Sequence, residues 1–558
     1  MIESKIKRIH PVLTGGFLVV FVLGGTVSGQ ERSWKDHLME CRTLRQQNRY
    51  GEAEQNCRRA LVLAEEAGPA NRRLAISQNE LASLYQGQGR LAEAESLARQ
   101  ALAFWESQPD SESLELARAL SRMGGICLAR GRLEEAERCY QRVLTWWQKE
   151  QPADSPETAA LLNNVCLLYQ SQGRYAESIP LLQRALNILK GHFGPEDPRV
   201  ATGLSGLGDA FFSEGSYAKA EKLFRQSLQI REKVKGPDHL DVAYSLDRLG
   251  GLYRIVGDYA QSHDCLQRSL AIKKKVLGDR HHEVTTTCGE LAQLYASQGL
   301  YVKAERLHRK ALKGAGRVLG AKHPELAVIL NNLAECLRLQ GRQAEAEPMY
   351  LRSLAILKQA YGPGFRQHPQ AGTVLNNLGL CYWQSRKLRK AEALLLQALS
   401  SREDALGPDH ADVADSLQSL ACLYLKMGQP DPASPLARRS LAIREKALGR
   451  DHPRTALSLR AMGDLFLMQK QFGQAEDLYQ EALQNQEKAL GSTHPALVFT
   501  LQSYADLLRA TERKEEARNL ANRAEAILTA TPRNPAEQTV DVRDLGRAAT
   551  AWRENLPH

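Results

Sequence analysis

The stretch LYQGQGRLAEAE at residues 84–95 returns in altered form along nearly the whole chain, and it decides the fold. Its turn glycine, Gly89, has equivalents spaced by 42 residues, with a single spacing of 45 where the loop before Pro369 is longer. Loops absorb such insertions at little cost. With Asn48 placed 41 residues before Gly89, twelve units cover residues 34–528. The later equivalents of Gly89 are Gly131, Gly173, Gly215, Gly257, Gly299, Gly341, Arg386, Gly428, Lys470 and Glu512.

Each unit has the pattern of two helices. In the fourth unit, apolar residues fall at i, i+3, i+4 and i+7, which places them on one helix face: Leu162, Val165, Cys166 and Tyr169. The third of these places is small in every unit after the first, and the second half of each unit has its own small positions. Small residues let antiparallel helices approach to about 8–10 Å between axes. Because one unit cannot bury its apolar face alone, the units must stack on one another.

The composition fits this array. The chain has 558 residues, of which 43% are hydrophobic, 25% charged and only 6% aromatic. The apolar content excludes wholesale disorder, and the few aromatic residues suit thin layers of Leu and Ala better than a sandwich or barrel. A formal net charge of +10 favours binding to acidic surfaces but does not by itself define a binding site.

The repeat resembles the tetratricopeptide repeat (TPR), in its 42-residue kinesin light chain-like subtype. The resemblance rests on Leu330-Asn-Asn-Leu-Ala334 and on linkers such as Leu406-Gly-Pro-Asp-His-Ala411 and Leu448-Gly-Arg-Asp-His-Pro453. It implies an all-α fold, a right-handed superhelical α-solenoid of about twelve helix-turn-helix units with a C-terminal capping helix. It implies no motor function, since we find no heptad region in the chain.

The repeat boundaries predict the domain organisation. We expect a signal peptide or short N-terminal anchor at residues 1–29, a capping repeat at 30–72 and the TPR array at 73–528. A polar linker at 529–539 then leads to a capping helix and tail at 540–558, where Leu545, Ala548 and Trp552 form one more apolar stripe. The alternative for this last segment is a frayed tail.

The N-terminus indicates export. Lys5, Lys7 and Arg8 precede the uncharged run Val12–Val27, and small residues stand before Gln30, as signal peptidase requires. Sixteen residues are short for a membrane span, which takes about 20. Cleavage and an uncleaved anchor both remain open, and either one places the rest of the chain in the periplasm or outside the cell.

Ten cysteines in an exported chain raise the question of disulfides. No CxxC motif or repeated metal-ligand spacing occurs. Cys41 and Cys57 are spaced to bridge the two helices of the first unit. We favour the interpretation that both are small, buried, unbridged core residues.

The sequence contains no catalytic motif, and we expect no enzymatic activity, no cofactor and no metal. Histidines recur in the linkers, several of them after Asp, and the favoured interpretation is a turn residue that fixes the entry to the next helix. A pH-sensitive loop order is the second interpretation, because histidine titrates near pH 6.5. A hydrolase that uses an Asp–His pair is the third. The linker histidines are His239, His281, His323, His368, His410, His452 and His494.

The other face of the first helices is the candidate binding surface. The resemblance places this face in the concave groove that captures peptides, and asparagine side chains there can both donate and accept. It is a mixed surface with five acids and four bases, whereas nucleic acid requires a continuous positive track. The candidates are Asn163, Gln170, Asp209, Phe212, Asp247, Arg254, Gln293, Asn331, Glu335, Arg338, Asn376 and Trp383.

These observations predict a non-enzymatic scaffold that binds a protein or peptide in the groove and does not bind nucleic acid. The alternative is a membrane-tethered assembly or adaptor factor of the cell envelope, whose outer surface contacts acidic partners. The basic runs Lys273–Lys275 and Arg438–Arg439 are interpreted as solvated helix faces, and not as sites.

Overall fold

The computed structural model describes residues 29–46, 49–68, 71–108, 113–130, 132–150, 155–279, 281–318 and 320–530. Within these ranges the chain folds into twenty-four α-helices and one short 3-10 helix, with no strand. Consecutive helices pack in pairs, α1 on α2 through α23 on α24. From α1 to α4, and again from α5 to α24, each pair also contacts the next. The predicted all-α solenoid of about twelve units is confirmed. The predicted signal segment and C-terminal capping helix lie outside the described residues.

The chain divides into two compact units, residues 1–108 and residues 109–558. The first unit contains α1 (Gly29–Gln46), α2 (Tyr50–Glu66), α3 (Arg72–Gly87) and α4 (Leu91–Glu106). The second begins with α5 (Leu114–Ala129), α6 (Leu133–Glu150), α7 (Pro156–Ser171), α8 (Tyr175–Phe193), α9 (Pro198–Ser213), α10 (Tyr217–Lys235), α11 (Leu240–Val256), α12 (Tyr259–Leu277), α13 (His282–Ser297) and α14 (Tyr301–Val318). It continues with α15 (Pro324–Leu339), α16 (Gln343–Tyr361), the 3-10 helix Gly362–Gln367, α17 (Pro369–Gln384), α18 (Leu388–Leu406), α19 (Ala411–Lys426), α20 (Pro430–Leu448), α21 (Pro453–Met468), α22 (Phe472–Leu490), α23 (Leu497–Ala510) and α24 (Lys514–Ala530).

Side chains in the linkers fix where the odd-numbered helices begin. Asn71, Ser113, Ser155 and Asp197 accept a hydrogen bond from a backbone N–H in the first turn, which satisfies one of the free donors of a helix N-terminus. From α11 to α21, the linker histidines do the same through Nδ1, as His452 does from the N–H of Arg454 at 3.0 Å. Before α23, Nδ1 of His494 accepts from the N–H of Ala496, the residue that precedes the helix. The prediction that these histidines set the entry to the next helix is confirmed.

The small residues of the repeat lie where the two helices of a pair touch. A Cβ added at Gly208 would lie 2.5 Å from the ring of Phe224, and one added at Gly463 would lie 2.6 Å from the ring of Tyr479. Real Cβ atoms do not approach so closely, so these positions carry no side chain. The three-residue insertion falls at the 3-10 helix, beside α16 and α17.

Two neighbouring glycines of α11 give a matched test of this packing. A Cβ at Gly250 would lie 2.6 Å from Cγ of Leu266, whereas within the described residues one at Gly251 would meet nothing within 4 Å. We expect Gly250→Ala to lower the free energy of unfolding by about 1–3 kcal/mol through overpacking. Gly251→Ala should instead raise it by about 0.5–1 kcal/mol, because alanine is the better helix former. Urea denaturation of both variants measures the difference, and equal effects would contradict the close packing.

Two expectations from the sequence are wrong. Cys41 and Cys57 form a disulfide between α1 and α2, with the Cα atoms 5.4 Å apart, because the two small positions face each other where the helices cross. Lys273 is not on a solvated face: it is 1% exposed, and its ammonium group contacts Asp247 and Glu283. Arg438 and Arg439 are exposed, as expected.

Among the described helices, none is both long enough and apolar enough to cross a membrane.

Candidate functional site

The candidate residues form a stripe along the odd-numbered helices of the second unit, at positions i, i+4 and i+7. We call this surface, on α7, α9, α11, α13, α15, α17, α19, α21 and α23, the first-helix stripe. The twelve candidates lie on α7 to α17, one to three on each odd-numbered helix, at equivalent places of the repeat. Their surroundings differ, and they fall into three groups.

The first group consists of side-chain amides that have no hydrogen-bond partner among the described residues. Asn163 and Gln170 on α7 and Gln293 on α13 are half-buried, and within the described residues their side chains make no hydrogen bond to protein. An amide offers a donor and an acceptor together, so it can pair with a peptide group of a partner chain.

The second group consists of charged side chains that pair within the protein. Asp209 accepts from Nε of Arg248 on the next odd helix at 2.9 Å, and Asp247 accepts from Nζ of Lys273 at 2.6 Å. Burial raises the pKa of Asp209, against the opposing effect of Arg248. These carboxylates join neighbouring repeats.

Two further acids of the stripe are each held from two sides. Glu335 accepts from Nε of Arg338 at 2.9 Å and from the hydroxyl of Tyr350 at 2.8 Å. Asp464 is bonded in the same way by Arg460 at 3.0 Å and by the hydroxyl of Tyr479 at 2.7 Å. Burial is the largest influence on the pKa of Glu335 and raises it, but Arg338 and Tyr350 outweigh it and leave that pKa lowered. The two tyrosines were not predicted, although their equivalent positions on the second helices are visible in the repeat.

The third group is more enclosed than the sequence suggested. Asn331 is 8% exposed and accepts from Nδ2 of Asn377 on the next odd helix at 3.1 Å. Asn376 is 6% exposed, and its Oδ1 has no hydrogen-bond partner among the described residues. Asn377 was not among the candidates, yet it supplies the donor that links α17 to α15.

Apolar and cationic members complete the stripe. The ring of Phe212 packs on Tyr217 with centroids 5.6 Å apart, and Trp383 packs partly buried against the core around α16 and α17. Leu167, between Asn163 and Gln170, is 55% exposed. Arg254 is half-buried and acts to lower the pKa of Glu290, which burial raises.

Between repeats, the even helices contribute a row of buried polar groups that the sequence analysis missed. Each one reaches a hydroxyl fourteen residues further along, on the next odd helix: Arg231–Ser245 at 2.7 Å, Lys273–Thr287 at 3.1 Å, Arg402–Ser416 at 2.8 Å, Arg444–Ser458 at 2.7 Å and Gln486–Thr500 at 2.9 Å. Burial lowers the pKa of Arg231, Arg402 and Arg444. We call these contacts the junction pairs.

Metal chemistry finds no support in the described ranges. No group of three or more His, Cys, Asp or Glu side chains there is close enough to hold an ion. The linker histidines are separated by whole repeats, and each Nδ1 accepts a backbone hydrogen bond, as in His410 and His494 at 3.0 and 3.1 Å.

Comparisons with known proteins agree with this architecture. The tetratricopeptide repeat model matches residues 41–107, 115–191, 157–233, 199–275, 283–359, 370–446, 433–488 and 469–530. No curated protein matches the chain. Among solved structures, BtubC (BKLC) from P. vanneervenii is 21% identical over 45% of this chain and 94% of its own, with a TM-score of 0.33. The kinesin light chain TPR-like repeats of Podosopora anserina are 24% identical over 38% of this chain and 99% of their own, with a TM-score of 0.31. Because the repeat model matches well over half of its residues, the chain belongs to the tetratricopeptide repeat family.

Proposed function

We propose that the chain is a non-enzymatic scaffold that binds a protein or peptide along the first-helix stripe. Tetratricopeptide repeats are typical of protein interaction scaffolds, and stacked repeats offer extended surfaces for partners. The observation that carries the proposal is the contrast within the stripe. Most of its charged side chains pair within the protein, while the amides of Asn163, Gln170 and Gln293 are half-buried and make no hydrogen bond to the described residues.

This contrast favours recognition of a polypeptide backbone. Paired charges such as Arg338 with Glu335 give little net attraction to a highly charged partner, whereas free amides can replace the hydrogen bonds that a peptide gives up on leaving water. Leu167 lies exposed between two of the amides and supplies an apolar anchor. A nucleic-acid partner would need a continuous positive track, which paired charges do not form.

Selection of a displayed peptide library on the full chain tests the proposal. The bound peptides are then measured against the triple variant Asn163→Ala, Gln170→Ala and Gln293→Ala. We expect a loss of affinity of at least tenfold, because three side chains that bond the ligand are removed. The matched control is Gln183→Ala, Asn187→Ala and Gln229→Ala, on the exposed faces of α8 and α10. Equal binding by both triple variants would contradict a site on the stripe.

We also propose that the protein works in the periplasm or outside the cell. The basic start and apolar run of residues 5–27 support export, and the Cys41–Cys57 disulfide is the kind of bond that persists in oxidising compartments. The alternative role, contact with acidic partners through the outer surface, is not favoured. Outer lysines such as Lys446 and Lys488 already pair with Asp409 and Asp451.

Thiol titration of the denatured, natively expressed protein checks the compartment. We expect eight reactive thiols without reductant and ten with it, because the Cys41–Cys57 disulfide takes two of the ten cysteines. Mass spectrometry of the same sample shows whether the N-terminal segment is removed. Ten thiols without reductant, in protein recovered from the cytosol, would contradict export.

A further inference from the structure

In the second unit, repeats that are far apart in the sequence contact one another at a fixed sequence separation. The turn between α7 and α8 lies against the linker before α19, the turn between α9 and α10 against the linker before α21, and the turn between α11 and α12 against the linker before α23. The three contacts pair Gly173 with His410, Gly215 with His452 and Gly257 with His494. Each pair is separated by 237 residues of chain, between five and six repeats. We call this row of contacts the seam.

Two of the three turns at the seam have no room for a side chain. A Cβ added at Gly215 would lie 2.7 Å from Cδ2 of His452, and one added at Gly257 would lie 2.8 Å from Cδ2 of His494. At Gly173 the nearest ring atom of His410 would be 3.4 Å away, in ordinary contact. The histidine rings therefore pack directly on the turns.

Equivalent turns away from the seam are open. Among the described residues, nothing lies within 4 Å of a Cβ built at Gly299 or Gly428. The same place is taken by Arg386, Lys470 and Glu512, which adopt the left-handed backbone with φ of 58°, 59° and 63°. The turn geometry thus tolerates large side chains, so the close contact, and not the backbone conformation, requires glycine at Gly215 and Gly257.

Other groups meet across the seam. Tyr175 on α8 lies near Asp412 and Arg454, and Tyr217 on α10 also lies near Arg454. Helix α11 contacts α22. The seam is therefore a packed interface that continues over three repeats.

We propose that the seam is a clasp that holds the array closed beside the first-helix stripe at neutral pH and releases it when the seam histidines are protonated. This inference rests on the proposed function only in that the clasp would control access to the stripe. The contact itself is independent of any ligand.

The chemistry of the contact explains why acid would release it. Nδ1 of each seam histidine is already an acceptor from a backbone N–H, so a proton there removes the bond that fixes the linker. Arg444 and Arg454 face His452 and add repulsion to the new charge, against a hydrogen bond to the backbone of Ser213 that favours it. The charged groups around His410 are Asp412, Asp415, Arg402 and Arg454, two of each sign. His494 lies against the backbone of Ile255, and burial dominates its surroundings.

Small-angle X-ray scattering of the full chain tests the clasp. We expect Gly215→Ala to increase the radius of gyration at pH 7.5, because its Cβ collides with His452. The matched control is Gly428→Ala, which places the same residue in the same left-handed turn without a contact. The double variant Gly215→Ala with His452→Asn should return toward the wild-type radius, because the shorter side chain makes room and still caps α21. Circular dichroism establishes that all variants keep their helix content.

The acid arm compares the wild type at pH 7.5 and pH 5.0, with hydrogen exchange of residues 449–457 as a second readout. Expansion with faster exchange of this linker at pH 5.0, at unchanged helicity, is the expected result. An unchanged radius in Gly215→Ala, or equal changes in Gly215→Ala and Gly428→Ala, would overturn the clasp. A wild-type radius and exchange rate that do not change with pH would overturn its release by acid. None of these measurements uses a ligand, so their failure is distinct from failure to bind peptides on the stripe.

Discussion

Lowering the pH from 7 to 5 is expected to lower the melting temperature of the full chain substantially. Burial lowers the pKa of His308, His368 and His452 to about 4 each, and lowers the pKa of His410 and His494 as well. These side chains are neutral in the folded protein at pH values where an unfolded chain would protonate them.

The sign of the effect follows from proton uptake. Between the ordinary histidine pKa of about 6.5 and the folded value near 4, the unfolded chain binds more protons, so stability falls as the pH falls. The stabilisation is fully present above pH 6.5 and is lost progressively below it. At about 1.4 kcal/mol for each pKa unit, His308 and His452 lose about 2 kcal/mol each by pH 5. Asp209 and Glu290, whose pKa values burial raises, act in the opposite direction.

Two variants assign the pH dependence to buried histidines. His308 is 2% exposed, and its equivalents in other repeats include Leu266 and Leu395, so His308→Leu should fit. It should flatten the dependence of the melting temperature on pH and raise that temperature most at pH 5. His239→Asn is the control. His239 caps α11 as the other linker histidines cap their helices, but its side chain is 42% exposed. A melting temperature that does not change between pH 5 and pH 8 would contradict the assignment.

The fold was predictable because the information that specifies it is local and repeated. Small residues such as Gly208 and Gly463 mark the helix crossings, and the linker histidines mark the helix starts. Each signal concerns residues less than one repeat apart. The 42-residue period aligns them, so the helix pairs and their order follow without any knowledge of long-range contacts.

The seam could not be predicted in the same way. It depends on how far each repeat rotates relative to the last, and this small angle accumulates over more than five repeats. The sequence does hold a trace of the contact. Gly215 and Gly257 stand where the turn is packed, whereas the equivalent turns away from the seam hold either glycine, as at Gly299, or a large side chain, as at Arg386.

The candidate residues lie on the odd-numbered helices, as their spacing predicts, but their surroundings were only partly predictable. Spacing shows that Glu335 and Arg338 share a face, yet it does not show that Tyr350 reaches the same carboxylate from the second helix. Burial of Asn331 and Asn376 depends on the neighbouring repeat and on the length of its side chains. Exposure within a stripe is therefore a property of the stack, which one helix cannot reveal.

The second large effect on the free energy of unfolding is expected from substitutions in the junction pairs. Arg402 is 5% exposed and donates to Oγ of Ser416 at 2.8 Å and to the carbonyl of Asp412 at 2.9 Å. We expect Arg402→Leu alone to cost about 2–3 kcal/mol, because it leaves these buried acceptors without a donor. Ser416→Val alone should cost a similar amount, because it leaves the guanidinium group short of an acceptor.

The double variant should recover most of the loss. At two other junctions of the same chain, both of these positions are apolar. Ala315 and Ile329 occupy them at one junction, and Leu357 and Val374 occupy them at the next. All four residues belong to one core cluster. A buried polar contact replaced by apolar residues of similar volume is often close to neutral. Arg402→Leu with Ser416→Val should therefore unfold within about 1 kcal/mol of the wild type in urea, a coupling of several kcal/mol between the two sites.

A mismatched double variant shows whether the recovery comes from restoring a matched pair or only from a general tolerance of apolar residues at these positions. Arg402→Leu with Ser458→Val removes the donor from one junction and the acceptor from the next, where Ser458 bonds Arg444 at 2.7 Å. Its cost should equal the two single costs added together, because the sites belong to different contacts. Additive costs in the matched variant as well would contradict the pairing. If the matched variant alone recovers, each junction accepts only its own kind of partner. Repeats that are otherwise nearly interchangeable would then be kept in order, because a polar group stacked on an apolar one would be buried without a hydrogen bond.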